Sequence, residues 1–232
     1  LSLSGDDHQR VRMQATLSIS TLGKDTFTQH KNDILNSLTQ SVSKPMDDWN
    51  IAAVTLASKQ APAELFNKIL ALQDGAKNEK LLSSLALVSG STVQNVTSVM
   101  EALAKSEFSS TSKQVILDQL NKGVITEFDG SLALPFIRQI EKSGDIGLVS
   151  TLASLRQKLK LSSSPEFLAF SKVALKILSD KSKDNSIRFK QFSLIEFLPY
   201  EQKADVLFSC LSNTEPMNIQ EAALRQLGNY PK

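Results

Sequence analysis

The chain has 232 residues, a formal net charge of +2, 41% hydrophobic residues and 22% charged residues. This balance is that of a globular protein and argues against intrinsic disorder. Because the net charge is small and no long block of like charges occurs, we expect no nucleic-acid partner. No apolar run approaches the roughly 20 residues of a transmembrane helix, so we also expect no membrane span.

Glycine and proline are scarce, at 9 and 7 residues. A β-sandwich, a barrel or a Rossmann-like fold of this size needs more glycine in its turns. The apolar residues are mainly leucine and alanine, which favour helices. The composition therefore predicts an all-α chain.

Periodicity and capping residues predict about thirteen helices in succession. The first carries the apolar residues from Val11 to Leu22, and the last opens at Pro216. Between them we predict helices at 32–42, from Pro62 to a stop at Gly75, at 80–88, from a Thr92 cap to 103, from a Thr111 or Ser112 cap to Gly123, at 132–140 with Pro135 in its first turn, at 146–159 after an Asp145 cap, from Ser164-Pro165 to 178, at 195–198 and at 201–211.

Short loops between these helices favour antiparallel neighbours, so we group them as about six helical hairpins plus one extra helix. No long linker rich in Ser, Pro or Gly interrupts residues 1–232, which predicts a single domain. The chain begins without an initiator Met, and we expect it to be a fragment of a larger protein.

Four segments share a pattern in which a polar or acidic start is followed by an apolar anchor and then a polar residue. The first two anchors are 38 residues apart and the last two are 32 apart, within the range of helical-pair repeats. We expect the anchors to be buried, Trp49 included, and the polar residues to face away. The anchors are Val11, Trp49, Ile187 and Ile219, followed by Arg12, Asn50, Arg188 and Gln220.

These segments, from Arg10-Val11-Arg12 to Ile219-Gln220-Glu221-Ala222-Ala223, resemble HEAT repeats. Their order along nearly the whole chain is similar to the helical segment of bacterial multidomain haem-binding dehydrogenase-like proteins. In that family a sugar-dehydrogenase-type propeller precedes the HEAT repeats and a c-type cytochrome domain follows them. The resemblance implies an α-α superhelix, a HEAT/ARM-like solenoid, in a periplasmic or cell-envelope protein.

The same resemblance implies a non-catalytic scaffold or spacer that contacts protein, either other domains of the parent chain or a partner. The parent protein would then be an oxidoreductase. The haem site of the family is a Cys-x-x-Cys-His motif, whereas this chain has one cysteine, Cys210. The resemblance therefore assigns haem to no residue here.

Candidate chemistry is sparse in the sequence. We expect Cys210 to be a small buried hydrophobe, His8 a surface residue in a first helical turn, and His30 a loop residue. No nucleophile elbow, phosphate loop or paired-histidine metal motif occurs. We therefore predict no catalytic, cofactor-binding or metal-binding residue and no cofactor. The alternative is an enzyme built on HEAT-like repeats, such as a DNA glycosylase or a bilin lyase.

The second half of the chain has a basic bias. We interpret it as a solvated face, with a docking surface for an acidic partner as the functional alternative. The residues concerned are Arg156, Lys158, Lys160, Lys172, Lys176, Lys181, Lys183, Arg188 and Lys190.

Overall fold

The computed structural model describes residues 2–72 and 75–228, and every regular element in these ranges is helical, which confirms the all-α prediction. The α-helices are α1 (Gln9–Ser20), α2 (Lys24–Gln29), α3 (Lys31–Val42), α4 (Asp48–Ala57), α5 (Pro62–Leu70), α6 (Glu79–Ser89), α7 (Val93–Lys105), α8 (Ser110–Gly123), α9 (Leu134–Glu141), α10 (Ile146–Lys158), α11 (Pro165–Ser179), α12 (Asn185–Lys190), α13 (Phe192–Ile195), α14 (Tyr200–Ser209) and α15 (Met217–Gly228). Short 3-10 turns lie at Ser2–Gly5, Gly75–Asn78 and Ser131–Ala133.

Most helix starts lie where the sequence places them. The side chains of Thr92, Asp145 and Ser164 each accept a hydrogen bond from a backbone N–H in the first turn that follows. Such caps satisfy amides that have no partner within the helix. Pro62 and Pro135 lie in the first turns of α5 and α9, where a missing N–H costs nothing.

The predicted cap of α8 is wrong. The capping residue is Ser109, which accepts from the N–H of Ser112, rather than Thr111 or Ser112 itself. Several serines and threonines in succession offer the same chemistry, so the sequence alone does not choose among them.

Two short helices also differ from the prediction. The helix expected at 195–198 lies earlier, as α13, and ends at Ile195, where the predicted one begins. The short helix α2 was not predicted; it has a single buried apolar residue, Phe27, and therefore no periodic signal. Elements of four to six residues are too short for apolar periodicity to locate them.

The chain folds into two compact units, with the boundary between Ile137 and Arg138, inside α9. The expectation of a single domain stays a prediction. We call residues up to 137 unit 1 and those from 138 unit 2, and describe each by itself.

In unit 1 the helices pack on one another in two series. Helix α1 packs against α4, α4 against α6, and α6 against α8. In the other series α3 packs against α5, and α5 against α7. The core between them is made of fully buried side chains on the inward faces of α3, α5, α6 and α7, including Leu35, Phe66, Leu82, Leu85 and Met100.

Two glycines permit the close approach of α6 and α8. Gly90 follows the last residue of α6, and a Cβ on it would overlap the backbone of Gly123. A Cβ on Gly123 would in turn overlap the carbonyl of Leu87. The backbone of Gly90 is right-handed, so its glycine is explained by this approach rather than by a left-handed cap.

Unit 2 repeats the same packing pattern with fewer helices. Helix α10 packs against α13 and α12 against α15, while α11 packs against α14. Its core contains an edge-to-face pair of rings, Phe167 and Phe197, whose centroids are 4.8 Å apart. Cys210 belongs to this core, which confirms it as a small buried residue.

Several side-chain hydrogen bonds in each unit join residues that are about one helix pair apart in the sequence. In unit 1, bonds of this kind span 31 to 38 residues, for example Arg12 to Pro45, Lys31 to Glu64 and Asn67 to Ser98. In unit 2 they span 34 to 43 residues, as in the bond from Gln226 to the carbonyl of Phe192. The spacing is close to the separation of the sequence anchors.

The predicted direction of the anchors is wrong for three of the four segments. Val11, Trp49 and Ile187 are exposed, and only Ile219 is fully buried. The polar residues that follow the first three anchors, Arg12, Asn50 and Arg188, are buried instead. Each finds hydrogen-bond partners inside its unit, which compensates for the loss of water.

Candidate interaction groove

A concave surface of unit 1 lies along the pair of helices α4 and α6. A cavity of about 560 Å³ is lined on the α4 side by Asp48, Ile51, Ala52, Thr55, Leu56 and Lys59 and on the α6 side by Lys80, Ser84, Leu87 and Val88. A second cavity of about 730 Å³ shares Asp48, Ile51 and Lys80 with it. We call the two together the α4–α6 groove.

Large apolar side chains are exposed beside this groove. Leu56 on α4 is 47% exposed and Leu87 on α6 is 40% exposed, and both line the first cavity. Trp49, the single tryptophan, is 76% exposed on the first turn of α4. Residues 49, 52 and 56 are three and four apart and therefore share one face of the helix. A contiguous exposed apolar patch marks an interaction site, and Leu56 and Leu87 line one cavity together.

The cap of α4 is formed by Asp47, two residues before Trp49. Asp47 accepts a hydrogen bond from the backbone N–H of Asn50 at 2.8 Å and another from its side-chain amide at 2.7 Å. These bonds, the backbone one first, hold the pKa of the Asp47 carboxyl below its usual value. Asn50 is buried, whereas Trp49, one residue earlier, is exposed.

Lysines outnumber carboxylates along the groove. Lys59 and Lys80 line the first cavity, and Lys44 and Lys77 line the second. The carboxylate among the lining residues is Asp48, which lies 2.5 Å from Lys80. From outside the lining, Asp7 lies 2.5 Å from Lys44, and a hydrogen bond from this lysine lowers the pKa of the Asp7 carboxyl. The groove thus has an apolar floor with lysines at its rim, and two of these lysines, Lys44 and Lys80, stand beside carboxylates.

The basic residues of the second half do not form one solvated face. The lysines are exposed or half-buried, but Arg156 and Arg188 are buried, which corrects the interpretation for these two. Arg156 makes a two-pronged pair with Glu141 at 2.7 and 2.9 Å and lies over the ring of Phe167. Arg188 makes the equivalent pair with Glu215 at 2.7 and 3.0 Å. These two arginines are internal supports of unit 2.

The Arg188–Glu215 pair sets the ionisation of its surroundings. Hydrogen bonds from Arg188, with help from Lys181 at 3.2 Å, lower the pKa of the Glu215 carboxyl despite its burial. The same pair raises the pKa of Arg188. Burial, the larger cause, and the nearby Glu215 raise the pKa of the Cys210 thiol. A thiol held in its protonated form is a poor nucleophile.

The two histidines lie at the surface. His8 is exposed at the cap of α1 and His30 is exposed between α2 and α3, as expected. Across 2–72 and 75–228 no three His, Cys, Asp or Glu side chains gather as a metal site would require. No helix in the described part of the chain has the combined length and apolarity needed to cross a membrane.

The α4–α6 groove was not predicted from the sequence. Helix α4 has apolar residues on all sides, so its pattern does not tell which side is inside. Pairing of α4 with α6 depends on contacts that the sequence does not encode locally.

Comparison with known proteins gives no match: no protein-family model, no curated protein and no solved structure matches the chain. The groove and the packing of the helices are therefore the observations that bear on function.

Proposed function

We propose that this chain is a non-catalytic HEAT-like repeat module that binds protein through the α4–α6 groove. The observation that carries the proposal is the exposure of Leu56 and Leu87 along one concave surface, with the exposed Trp49 on the same face of α4 as Leu56. A folded chain leaves such residues in water only at a cost of roughly 25 cal/mol for each Å² of apolar surface. Covering that surface with a partner recovers the cost.

The repeat architecture is supported by the two series of packed helices and by the spacing of the hydrogen bonds. We assign the pairs by their order along the chain: α1 with α3, α4 with α5, and α6 with α7 in unit 1, and α10 with α11, and α12–α13 with α14 in unit 2. Packing between equivalent helices of successive pairs is the pattern expected of a helical-repeat stack. Stacks of this kind present one row of helices to their partners.

In the longer protein that the sequence resembles, such a module would act as a spacer between a catalytic domain and an electron-accepting domain. Its contacts would then be with other domains of the parent chain, in the periplasm or cell envelope. The groove supports this role because it offers exposed apolar side chains to a neighbouring domain.

The test places a photo-reactive phenylalanine analogue at Leu56 or Leu87 of the protein in its own cells, with Gln40, an exposed residue of α3, as the control position. We expect covalent adducts with a protein of one mass at the two groove positions and not at the control. The adduct at Leu56 should disappear in a Leu87→Glu variant that keeps its helical circular dichroism. Equal labelling at all three positions would remove the support for a binding groove.

A further inference from the structure

A further cavity of unit 1 lies between α2 and the turn that joins α4 to α5, and we call it the α2 cavity. Its volume is about 590 Å³. Pockets for small molecules have volumes of roughly 300–1,000 Å³ and combine apolar walls with a few polar groups. Leu22 and the buried Phe27 form the apolar part of the lining of the α2 cavity. Its size and lining therefore suit a small molecule.

Two hydrogen bonds join the sides of the α2 cavity. The side-chain amide of Gln60, in the turn after α4, donates to the carbonyl of Leu22 at 3.2 Å. The ammonium group of Lys31, at the start of α3, donates to the carboxylate of Glu64 in α5 at 2.8 Å. These bonds link the α2–α3 segment to the next helix pair, so the charged side chains of the lining are carried by connected elements.

The lining of the α2 cavity has a surplus of positive charge. It contains Lys24, Lys31 and Lys59, and its carboxylate is Glu64. Lys31 and Glu64 form an ion pair with each other. Among the described residues, from 2 to 72 and from 75 to 228, none forms an ion pair with Lys24 or Lys59 or accepts a hydrogen bond from their ammonium groups. Asp25, beside Lys24 in the sequence, lies outside the lining.

Two ammonium groups without a counter-charge favour a ligand with two negative charges. A phosphate monoester has a charge of about −1.5 to −2 at pH 7 and three acceptor oxygens, so one phosphate group can accept from both lysines. We propose that the α2 cavity binds a small organic phosphate, with the phosphate group between Lys24 and Lys59 and the organic part against Leu22 and Phe27. This inference goes beyond the proposed function, because the ligand and the site are different.

The α2 cavity and the α4–α6 groove share one residue, Lys59, which lines both. Lys24 lines the α2 cavity and not the groove, whereas Leu87 lines the groove and not the α2 cavity. Changes at Lys24 and at Leu87 therefore test the two sites separately.

The experiment titrates the whole chain with phenyl phosphate, inorganic phosphate and benzoate, and follows each ligand by NMR at constant ionic strength. Phenyl phosphate has the two charges and an apolar ring, whereas inorganic phosphate lacks the ring and benzoate lacks the second charge. We expect phenyl phosphate to bind most tightly. If it binds no more tightly than either of the other two, or does not bind, the inference is overturned.

Variants identify the groups that hold the phosphate. Lys24→Gln and Lys59→Gln should each weaken phenyl phosphate about tenfold, the size of a hydrogen bond between charged groups. Glu64→Gln should tighten it about threefold, because it removes the lining carboxylate and releases Lys31. A gain in affinity of this kind does not arise from loss of folding. Lys122→Gln, at an exposed lysine of α8 outside the cavity, is the matched control and should leave the affinity unchanged.

The outcomes keep this inference apart from the proposed function. Leu87→Glu should leave the affinity for phenyl phosphate unchanged. If Lys24→Gln and Glu64→Gln have no more effect than Lys122→Gln, the ligand binds elsewhere and the inference is overturned. Equal photo-labelling at the groove and control positions would instead remove the proposed function and leave the phosphate site in place.

Discussion

Unit 1 and unit 2 each bury an arginine that follows an exposed apolar residue, but they compensate its charge differently. Arg12 in α1 donates to the backbone carbonyls of Asp6, Asp7 and Pro45 at 2.8 to 3.0 Å. Arg188 in α12 donates both prongs to the carboxylate of Glu215 and its Nε–H to the carbonyl of Leu178. An apolar residue followed by arginine therefore gives an arginine bound to carbonyls in unit 1 and an ion-paired arginine in unit 2.

Despite their different acceptors, Arg12 and Arg188 have the same structural role. In each case the arginine reaches from one helix to the segment just before a helix of the next pair, Pro45 before α4 and Glu215 before α15. A long side chain with five donors can hold such a segment with either kind of acceptor. The consequence is that unit 2 depends on a buried charge pair and unit 1 does not depend on one at this position.

The largest effect is expected from Glu215→Ala in unit 2. This change leaves the buried guanidinium of Arg188 without its carboxylate, and breaking one partner of a buried pair costs about 3–5 kcal/mol. Urea unfolding followed by circular dichroism measures it. The control is Glu101→Ala, which removes an exposed pair with Lys105 and should cost about 1 kcal/mol or less. A loss no larger than that of the control would contradict the role of the pair.

A smaller effect is expected from Arg12→Met in unit 1. Methionine keeps much of the apolar stem and removes the hydrogen-bond donors. Because Arg12 donates to backbone carbonyls, the change leaves no buried carboxylate without its cation. The free energy of unfolding should fall by about 1–3 kcal/mol, the range for buried carbonyls left without donors. Water can reach some of these carbonyls, which limits the loss. Urea midpoints at constant m report the change. If Arg12→Met costs more than Glu215→Ala, the comparison between the units is wrong.

The smallest effect concerns how the free energy of unfolding depends on pH. The stability that Arg188 contributes should depend on pH, and the stability that Arg12 contributes should not. Arg188 lowers the pKa of the folded Glu215 carboxyl, so its contribution to stability is complete above the unfolded glutamate value and is lost as pH falls through the lowered folded value. Arg12 binds carbonyls, which do not titrate. The stability of the wild type and of Arg12→Met should fall together below about pH 4.3, the ordinary glutamate value. Glu215→Gln should remove part of that slope, and an unchanged slope would exclude Glu215 as its source.

Capping chemistry made the helix starts predictable, because it is local. Thr92, Asp145 and Ser164 each precede a run of helical periodicity and each accepts from an amide in the first turn. The fixed backbone of proline likewise predicts Pro135 in the first turn of α9. At α8 several hydroxyl residues stand in a row, so Ser109 could not be told from its neighbours.

The direction of the anchors was not predictable by the same means. Burial follows hydrophobicity on average, which favours Trp49 and Ile187 as core residues and Arg188 as a surface residue. A polar side chain is buried in place of its apolar neighbour where it finds all its hydrogen-bond partners at the right distance. For Arg188 one such partner is Glu215, which is 27 residues away in the sequence. Tertiary contacts therefore decide which of two adjacent residues is buried.

Local sequence signals were enough to predict that the described chain is helical, where most helices begin, and that Cys210 is buried. Each of these depends on residues within a turn or two of one another. Tertiary packing was needed to place Trp49 in water, Arg156 and Arg188 inside the protein, and α4 and α6 on the two sides of one groove. These depend on which helices become neighbours, and that choice is made by packing of surfaces that are distant in the chain.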